Sequence, residues 1–436
     1  PRSPHALHIT IELIRTRRTV SRITVERLAL VPLMTTRNTR LEGVSEFYGL
    51  IMRYALLANK TDLFAFCALK TLRKDLKNGL SPSSAHALAT YGTVAAALKK
   101  YDEAYALGQA ARAMQSRLNV KETYIAMDTV VSSFLVHIRQ PMADVRIPFK
   151  ELYKMGVQNG DFFFALAAAN GNAEAAALAG RPLSEVEDIL RSANQFRVDF
   201  DAHCNTSYSL PFYQHILRLR GKHKERAELS GEGVSENDED SDDDLLVFSI
   251  HSNKFKLAVW FMKWELALDI LDNKMKISPW GGRYKDQHFS FTQFAVFSCL
   301  CYLKCYEKTH DKGLYRKAMK EIQYMEEKFS SGFVVYGPLI ELVRAVKVSI
   351  VEEDTGAVEA AFVKATNVLE DEGLINYAAL AFEIAGLTFV IKFRDYVRSE
   401  RYLSRSLDLY EEWQAHAKVT DVDRKYDAVF SLKMPE

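Results

Sequence analysis

Residue types able to do chemistry are present in this chain, but their spacing assembles none of the usual catalytic devices. The densest thiol cluster is Cys299-x-Cys301-x-x-x-Cys305. On a helix Cys301 and Cys305 share a face and Cys299 does not, and no CxxC pair is present. These three read as small buried hydrophobes rather than zinc ligands. His203 and Cys204 adjoin without a further ligand near them, His215 lies on a different turn, and His5 and His8 sit near the start. No metal site is expected. Gly221-Lys222 lacks the upstream glycine and the hydroxyl residue of a phosphate loop. Gly231-Glu232-Gly233 sits in an acidic run that would repel phosphate. There is no G-x-S-x-G elbow, no H-E-x-x-H, and no kinase H-R-D or D-F-G. The expectation is a chain with no catalytic residue, no cofactor and no enzymatic activity of its own. Phe162-Phe163-Phe164 and Phe289, Phe291, Phe294 and Phe297 follow helical spacing and read as core rather than as a stacking wall for bases.

The elements that would position any site are helices. The 436 residues carry only 20 glycines and 11 prolines, set between long runs of helical periodicity, which disfavours an all-β fold. With 48% hydrophobic residues there is ample material for a continuous core. The clearest unit is Ser84 to Ser116. Ser81-Pro82-Ser83-Ser84 supplies cap chemistry, Ala85–Leu98 forms a helix, Lys99-Lys100 turns, and Tyr101-Asp102-Glu103-Ala104 opens a second helix. Gly92, Ala104 and Ala111 fall at the small-residue positions of a tetratricopeptide repeat, where two helices approach closely. Lys263-Trp264-Glu265-Leu266-Ala267 repeats the same turn after a first helix placed at Lys254–Met262. Further pairs are predicted at 288–306 with 315–329, 336–352 with 356–372, and 375–393 with 398–413. The spacing between equivalent helices is about 40 residues, within the range of helical repeats. The fold class expected is all-α, an α-α superhelix or tetratricopeptide-like solenoid.

Charge and composition narrow the partners. The 57 basic and 56 acidic residues nearly cancel, so neither nucleic acid nor an acidic membrane is favoured. Arg2, Arg15, Arg17, Arg18, Arg22, Arg27, Arg37 and Arg40 oppose only Glu12 and Glu26 in the first forty residues, which reads as a solvated helix face or a patch for phosphate or a partner. Five scattered cysteines suit a reducing compartment. No secretory signal opens the chain, whose start resembles an interior cut, and the longest uncharged run, Phe289 to Leu303, is short of the ~20 apolar residues of a membrane helix. A cytoplasmic protein is expected. Ser230 to Asp244 holds eight acidic residues and almost nothing apolar, so it is expected to be a disordered loop. It divides the chain into an N-terminal helical-repeat half (1–229), the loop (230–245) and a C-terminal half (246–436). Ser235 and Ser241 each precede an Asp by three residues, a pattern acidophilic kinases favour, and are candidate phosphorylation sites.

The end of the chain resembles a known family. Ala379-Leu380-Ala381-Phe382-Glu383-Ile384-Ala385-Gly386 is followed by Arg401-Tyr402-Leu403-Ser404 and by Tyr410-Glu411-Glu412-Trp413-Gln414-Ala415-His416-Ala417-Lys418-Val419. This resembles the close of the helical-repeat region in large signalling proteins that join AAA-type ATPase, serine/threonine kinase and multi-sensor hybrid histidine kinase modules. Gln414 stands where that family has Gly, and Arg394 replaces a turn Gly. The resemblance implies a non-catalytic scaffold or regulatory arm that contacts a protein partner or the flanking ATPase and kinase domains. If the usual repeat groove is used, His86, Ala89, Thr93, Ala96 and Ala97 line it. They lack the Lys/Asn set that clamps a peptide carboxylate, so a packed domain or hydrophobic helix is the expected occupant. The alternative is a small-molecule or nucleotide sensor with a pocket between repeats.

Overall fold

The computed structural model describes residues 4–34, 39–57, 60–201, 206–222, 238, 241–275 and 287–431. Among them every regular element is helical, apart from an isolated bridge between Leu33 and Leu80, so the chain is all-α. It divides into two compact units. Unit 1 is Pro1–Arg139 with Pro148–Ala168, and unit 2 is Gln140–Ile147 with Ala169–Glu436. The division expected at 230–245 falls inside unit 2, and of that run only 238 and 241–245 are described.

Unit 1 contains α1 (Ala6–Val20), α2 (Val25–Leu28), α3 (Thr39–Leu57), α4 (Thr61–Asn78), α5 (Ser84–Ala97), α6 (Tyr101–Leu118) and α7 (Lys121–Phe134). The α5–α6 pair lies within two residues of its predicted bounds. Its small residues have the physical role the pattern requires. A Cβ on Gly92 would stand 2.9 Å from Leu135 Cδ1 and 3.4 Å from the Ala104 carbonyl oxygen. Ala104 and Ala111 are fully buried. The helices α8 (Met142–Val145), α9 (Ile147–Gln158) and α10 (Phe162–Leu178) span the stretch in which the chain passes between units.

Unit 2 continues with α11 (Leu183–Asp199), α12 (Thr206–Leu219), α13 (Asp244–Trp260) and α14 (Trp264–Asp269). Then come α15 (Thr292–Thr309), α16 (Lys312–Ser330), α17 (Tyr336–Val351), α18 (Thr355–Asp371), α19 (Ile375–Phe393), α20 (Tyr396–Glu412) and α21 (His416–Ser431). The predicted pairs α15–α16, α17–α18 and α19–α20 are all present and packed together. Helix α13 begins well before Lys254 because the last acidic residues cap it. The Asp243 carboxylate accepts the N–H groups of Leu245 and Leu246 at 3.0 and 3.3 Å, satisfying donors that a helix start leaves orphaned.

The beginning and end of unit 2 touch. The Leu183 N–H donates to the Trp413 carbonyl at 2.9 Å, and Asn376 Nδ2 donates to the Ala177 carbonyl at 3.1 Å. Gly180 has φ +68°, and a Cβ there would come within 2.9 Å of the Gly373 carbonyl oxygen. Glycine is required at this junction by both backbone conformation and close approach.

A buried ionic cluster locks the last three helices. Glu383 and Lys418 are both fully buried and 2.8 Å apart, Lys425 adds a second cation at 2.8 Å, and the Tyr410 hydroxyl donates to Glu383 at 2.8 Å. Burial pulls the Glu383 carboxyl upward, but Lys418 and Lys425 outweigh it and hold it below the usual carboxylate value. Glu383 lies mid-way along α19, which is long and apolar enough to span a bilayer but is 72% buried inside the protein. Removing Lys418 leaves the buried Glu383 carboxylate with Lys425 and Tyr410 alone, so Lys418→Met is expected to cost about 3 kcal/mol in urea unfolding. Because the folded carboxyl is depressed, its contribution is complete above the unfolded value of about 4.3 and is lost as pH falls through the folded value. Wild type should therefore lose stability in acid more steeply than Glu383→Gln, measured by unfolding at pH 7, 5 and 3.

Candidate functional site

The five residues expected to line a groove on α5 do not share one accessible face. Ala89 and Ala96 are sealed in helix packing, Thr93 is half-buried with its hydroxyl donating to the Thr90 carbonyl at 2.8 Å, and Ala97 is exposed. His86 is buried beside Phe64, and burial together with the Arg53 charge pushes its pKa down to about 4. The small residues Ala89 and Ala96 lie in the contact between helices. Of the candidate phosphorylation sites, Ser235 lies outside the described residues. Ser241 is half-buried, and its hydroxyl accepts the Asp243 N–H at 3.2 Å. Cys67, Cys299, Cys301 and Cys305 are buried thiols, with Cys301 and Cys305 both directed at the Trp264 carbonyl oxygen; Cys204 lies outside the described residues. Among the described residues no three His, Cys, Asp or Glu side chains group as metal ligands do. Phe289, Phe294 and Phe297 are core.

The candidate site is a narrow cavity within unit 2 of about 20 Å3, partly open to solvent. Its walls come from elements far apart in sequence. Helix α10 contributes Glu174, α12 His215, α13 Lys256, α15 Gln293 and α19 Asn376, while Ser290 and Trp413 stand just outside α15 and α20. All seven are buried. Phe212, Ile216 and Leu219 of α12 and Trp260 of α13 form an apolar wall. Trp260 and Trp413 pack with ring centres 4.9 Å apart, and Trp260 also meets Phe297 edge-on at 5.2 Å. Here the aromatic core of unit 2 becomes the floor of the cavity.

The polar groups have defined states. His215 Nδ1 lies 3.3 Å from the Asn253 carbonyl oxygen, to which it donates, leaving Nε2 as an acceptor. Burial and then the Lys256 charge push His215 down to about 3, so it is neutral at physiological pH. Burial also lowers Lys256, while Glu174 acts in the opposite direction. The ammonium stands over the Phe294 ring at 5.4 Å. Ser290 Oγ lies 2.6 Å from His288 Nδ1, a spacing that suggests a hydroxyl and its base. However, the same nitrogen accepts the Ser290 N–H, and burial and the Lys256 charge push His288 down to about 3. So weak a base does not activate a serine at neutral pH; the ring serves as the cap of its turn.

Gln414 accounts for a departure noted in the closing segment. It has φ +62°, the left-handed region in which glycine is favoured. Gln414 adds what glycine cannot. Its Oε1 accepts the Ser184 N–H at 3.2 Å and Arg220 Nη1 at 2.9 Å, stitching α11 and α12 to the end of α20. Arg394 also adopts positive φ, at +57°. Sequence reasoning missed Glu174, Lys256 and Asn376 as site residues because no linear motif joins them. The available signal was a single polar residue inside an apolar helical run, as in Phe255-Lys256-Leu257-Ala258 and Ile375-Asn376-Tyr377-Ala378.

No family model, no curated protein and no solved structure matches this chain. The site therefore stands on its own geometry. Asn376→Leu should remove the bond to the Ala177 carbonyl, which then keeps only the Gly180 N–H at 3.3 Å, costing about 1 kcal/mol in urea unfolding. Hydrogen exchange should show the loss concentrated at 177–184 and 373–378.

Proposed function

We propose that this chain is a non-catalytic helical-repeat regulatory module that binds a small ligand in unit 2, and is not itself an enzyme. The cavity carries this reading. Polar side chains from five helices, one a buried cation, meet in one space beside the contact between the first and last parts of the unit. A ligand held there touches both sides of that contact. It would favour the closed arrangement by its differential affinity, which is the requirement for a regulatory response. We read the helical pairs as a tetratricopeptide-like superhelix, turned in unit 2 until its ends touch. We place the chain as a cytoplasmic arm of a larger ATPase and kinase signalling protein, on the resemblance of its closing segment. Trp413 within that segment supports the placement, because it both seals unit 2 and lines the cavity.

A second reading, docking of a protein partner, has its own support in unit 1. Leu7, Ile11 and Ile14 on α1 and Phe47, Leu50 and Tyr54 on α3 are exposed at helical spacing, with Phe47 at 62% and Tyr54 at 65%. Such apolar stripes are a feature of interaction surfaces. The two readings assign different units to different tasks and are compatible.

A metabolite screen by thermal unfolding tests the first reading. A ligand at about 100 times its Kd should add about 2.7 kcal/mol to the stability of unit 2, seen as an upward shift of its transition. Hydrogen-exchange protection should rise around the cavity and not in unit 1. A flat screen would count against the ligand reading. Failure of the isolated chain to recover any protein or flanking domain in a pull-down would count against the docking reading.

A further inference from the structure

Helix α1 of unit 1 packs its polar side inward. Against α4 the buried Glu12 carboxylate pairs with Arg73, and the buried Thr16 hydroxyl donates to the Leu69 carbonyl at 3.0 Å. The apolar residues lie on the opposite side, where Leu7 is 68%, Ile11 38% and Ile14 47% exposed. Their spacing, four residues and then three, continues to the exposed Arg18. Positions so spaced form one narrow seam along a helix, the a and d positions of a heptad. Arg15 and Arg17 then occupy e and g positions on the two rims of the seam, and both are exposed. Glu12 is the one acidic residue of α1 and faces α4, so no carboxylate on the helix answers the rim guanidiniums.

We infer that this face of α1 docks an amphipathic helix of a partner protein, with an apolar seam laid against Leu7, Ile11 and Ile14 and acidic residues at the positions that meet Arg15 and Arg17. The inference rests on the docking reading of unit 1 and adds the class of partner. Charge complementarity selects that class. Charges flanking the seam set partner choice between paired helices, and two arginine rims call for Glu or Asp across from them. A second copy of α1 would bring arginine against arginine and is disfavoured on the same ground. The apolar band is one side chain wide over about 10 Å, which fits a helix lying in register. A bilayer surface takes up a helix with a broad apolar face and a solvated polar one, whereas the polar side of α1 is engaged with α4.

The test uses the full chain and two synthetic peptides of about three heptads, both with Ile and Leu in the seam, one with Glu and the other with Lys at every e and g position. Calorimetry should show the Glu peptide binding about 10-fold more tightly than the Lys peptide, with the difference shrinking as salt is raised. Arg15→Glu combined with Arg17→Glu should reverse the preference. Ile11→Gln should weaken binding of the Glu peptide about 10-fold. Circular dichroism checks the fold of each variant. Should the double reversal fail to fold, Arg15→Glu alone carries the test, narrowing the preference about 3-fold. Equal binding of the two peptides, or a preference that survives the reversal, overturns the acidic partner while the docking reading stands. If neither peptide binds, the inference falls. The docking reading then survives only if a pull-down recovers the same protein on wild type and on Ile11→Gln, which seats the partner away from α1. Binding to phosphatidylserine vesicles and to neither peptide assigns the face to a membrane. Dimerisation in sedimentation equilibrium that Ile11→Gln abolishes assigns it to a second copy. Either result overturns the proposal.

Discussion

The indole of Trp413 rests against that of Trp260, and the Trp413 carbonyl accepts the N–H of Leu183. These contacts join α13 to the turn after α20 and the start of α11 to the same turn. The cavity in unit 2 exists because they are made. With the two indoles apart, Lys256, His215 and Asn376 would line separate helices rather than one space. The bulky aromatics set how closely the helices approach, and the polar residues occupy the gaps the rings leave. Burial of large flat side chains is the main favourable term, and the hydrogen bonds at the junction fix its register.

Electrostatics within unit 2 follow one rule in two outcomes. Glu383 is buried but is held by Lys418, Lys425 and Tyr410, so its charge is compensated by the fold itself. Lys256 is buried over the Phe294 ring, with the Glu174 charge acting on it. The first arrangement is what a structural charge requires, with every lone pair answered by a donor. His215 and His288 complete the contrast, since a neutral imidazole can be buried at far lower cost than a charged one.

Much of the architecture was legible in the sequence, and the reason is local. Helical periodicity, sparse Gly and Pro, and small residues at Gly92, Ala104 and Ala111 report on contacts between neighbours in the chain. The early start of α13 was hidden because an acidic run reads as solvated, although its last members are also good helix caps. The cavity was hidden for a different reason. Its residues come from helices across unit 2, and only the closed arrangement brings them together. The groove proposed on α5 illustrates the converse, because positions named from a repeat pattern turned out to carry the packing of helix on helix.

Joining Leu183 to Trp413 also has a consequence for how unit 2 comes into being. Most helical repeats gain stability one neighbour at a time, so a partly made array is already partly folded. Here the Leu183 and Asn376 bonds are between residues about two hundred positions apart, and the chain must close that loop before either bond forms. During synthesis the α10 to α12 segment waits for α19 and α20 to emerge, with its inner apolar surface uncovered in the interval. Native contacts of such long range slow folding and lengthen exposure to aggregation. The same closure that makes the cavity therefore gives the ribosome's last residues of unit 2 authority over its first.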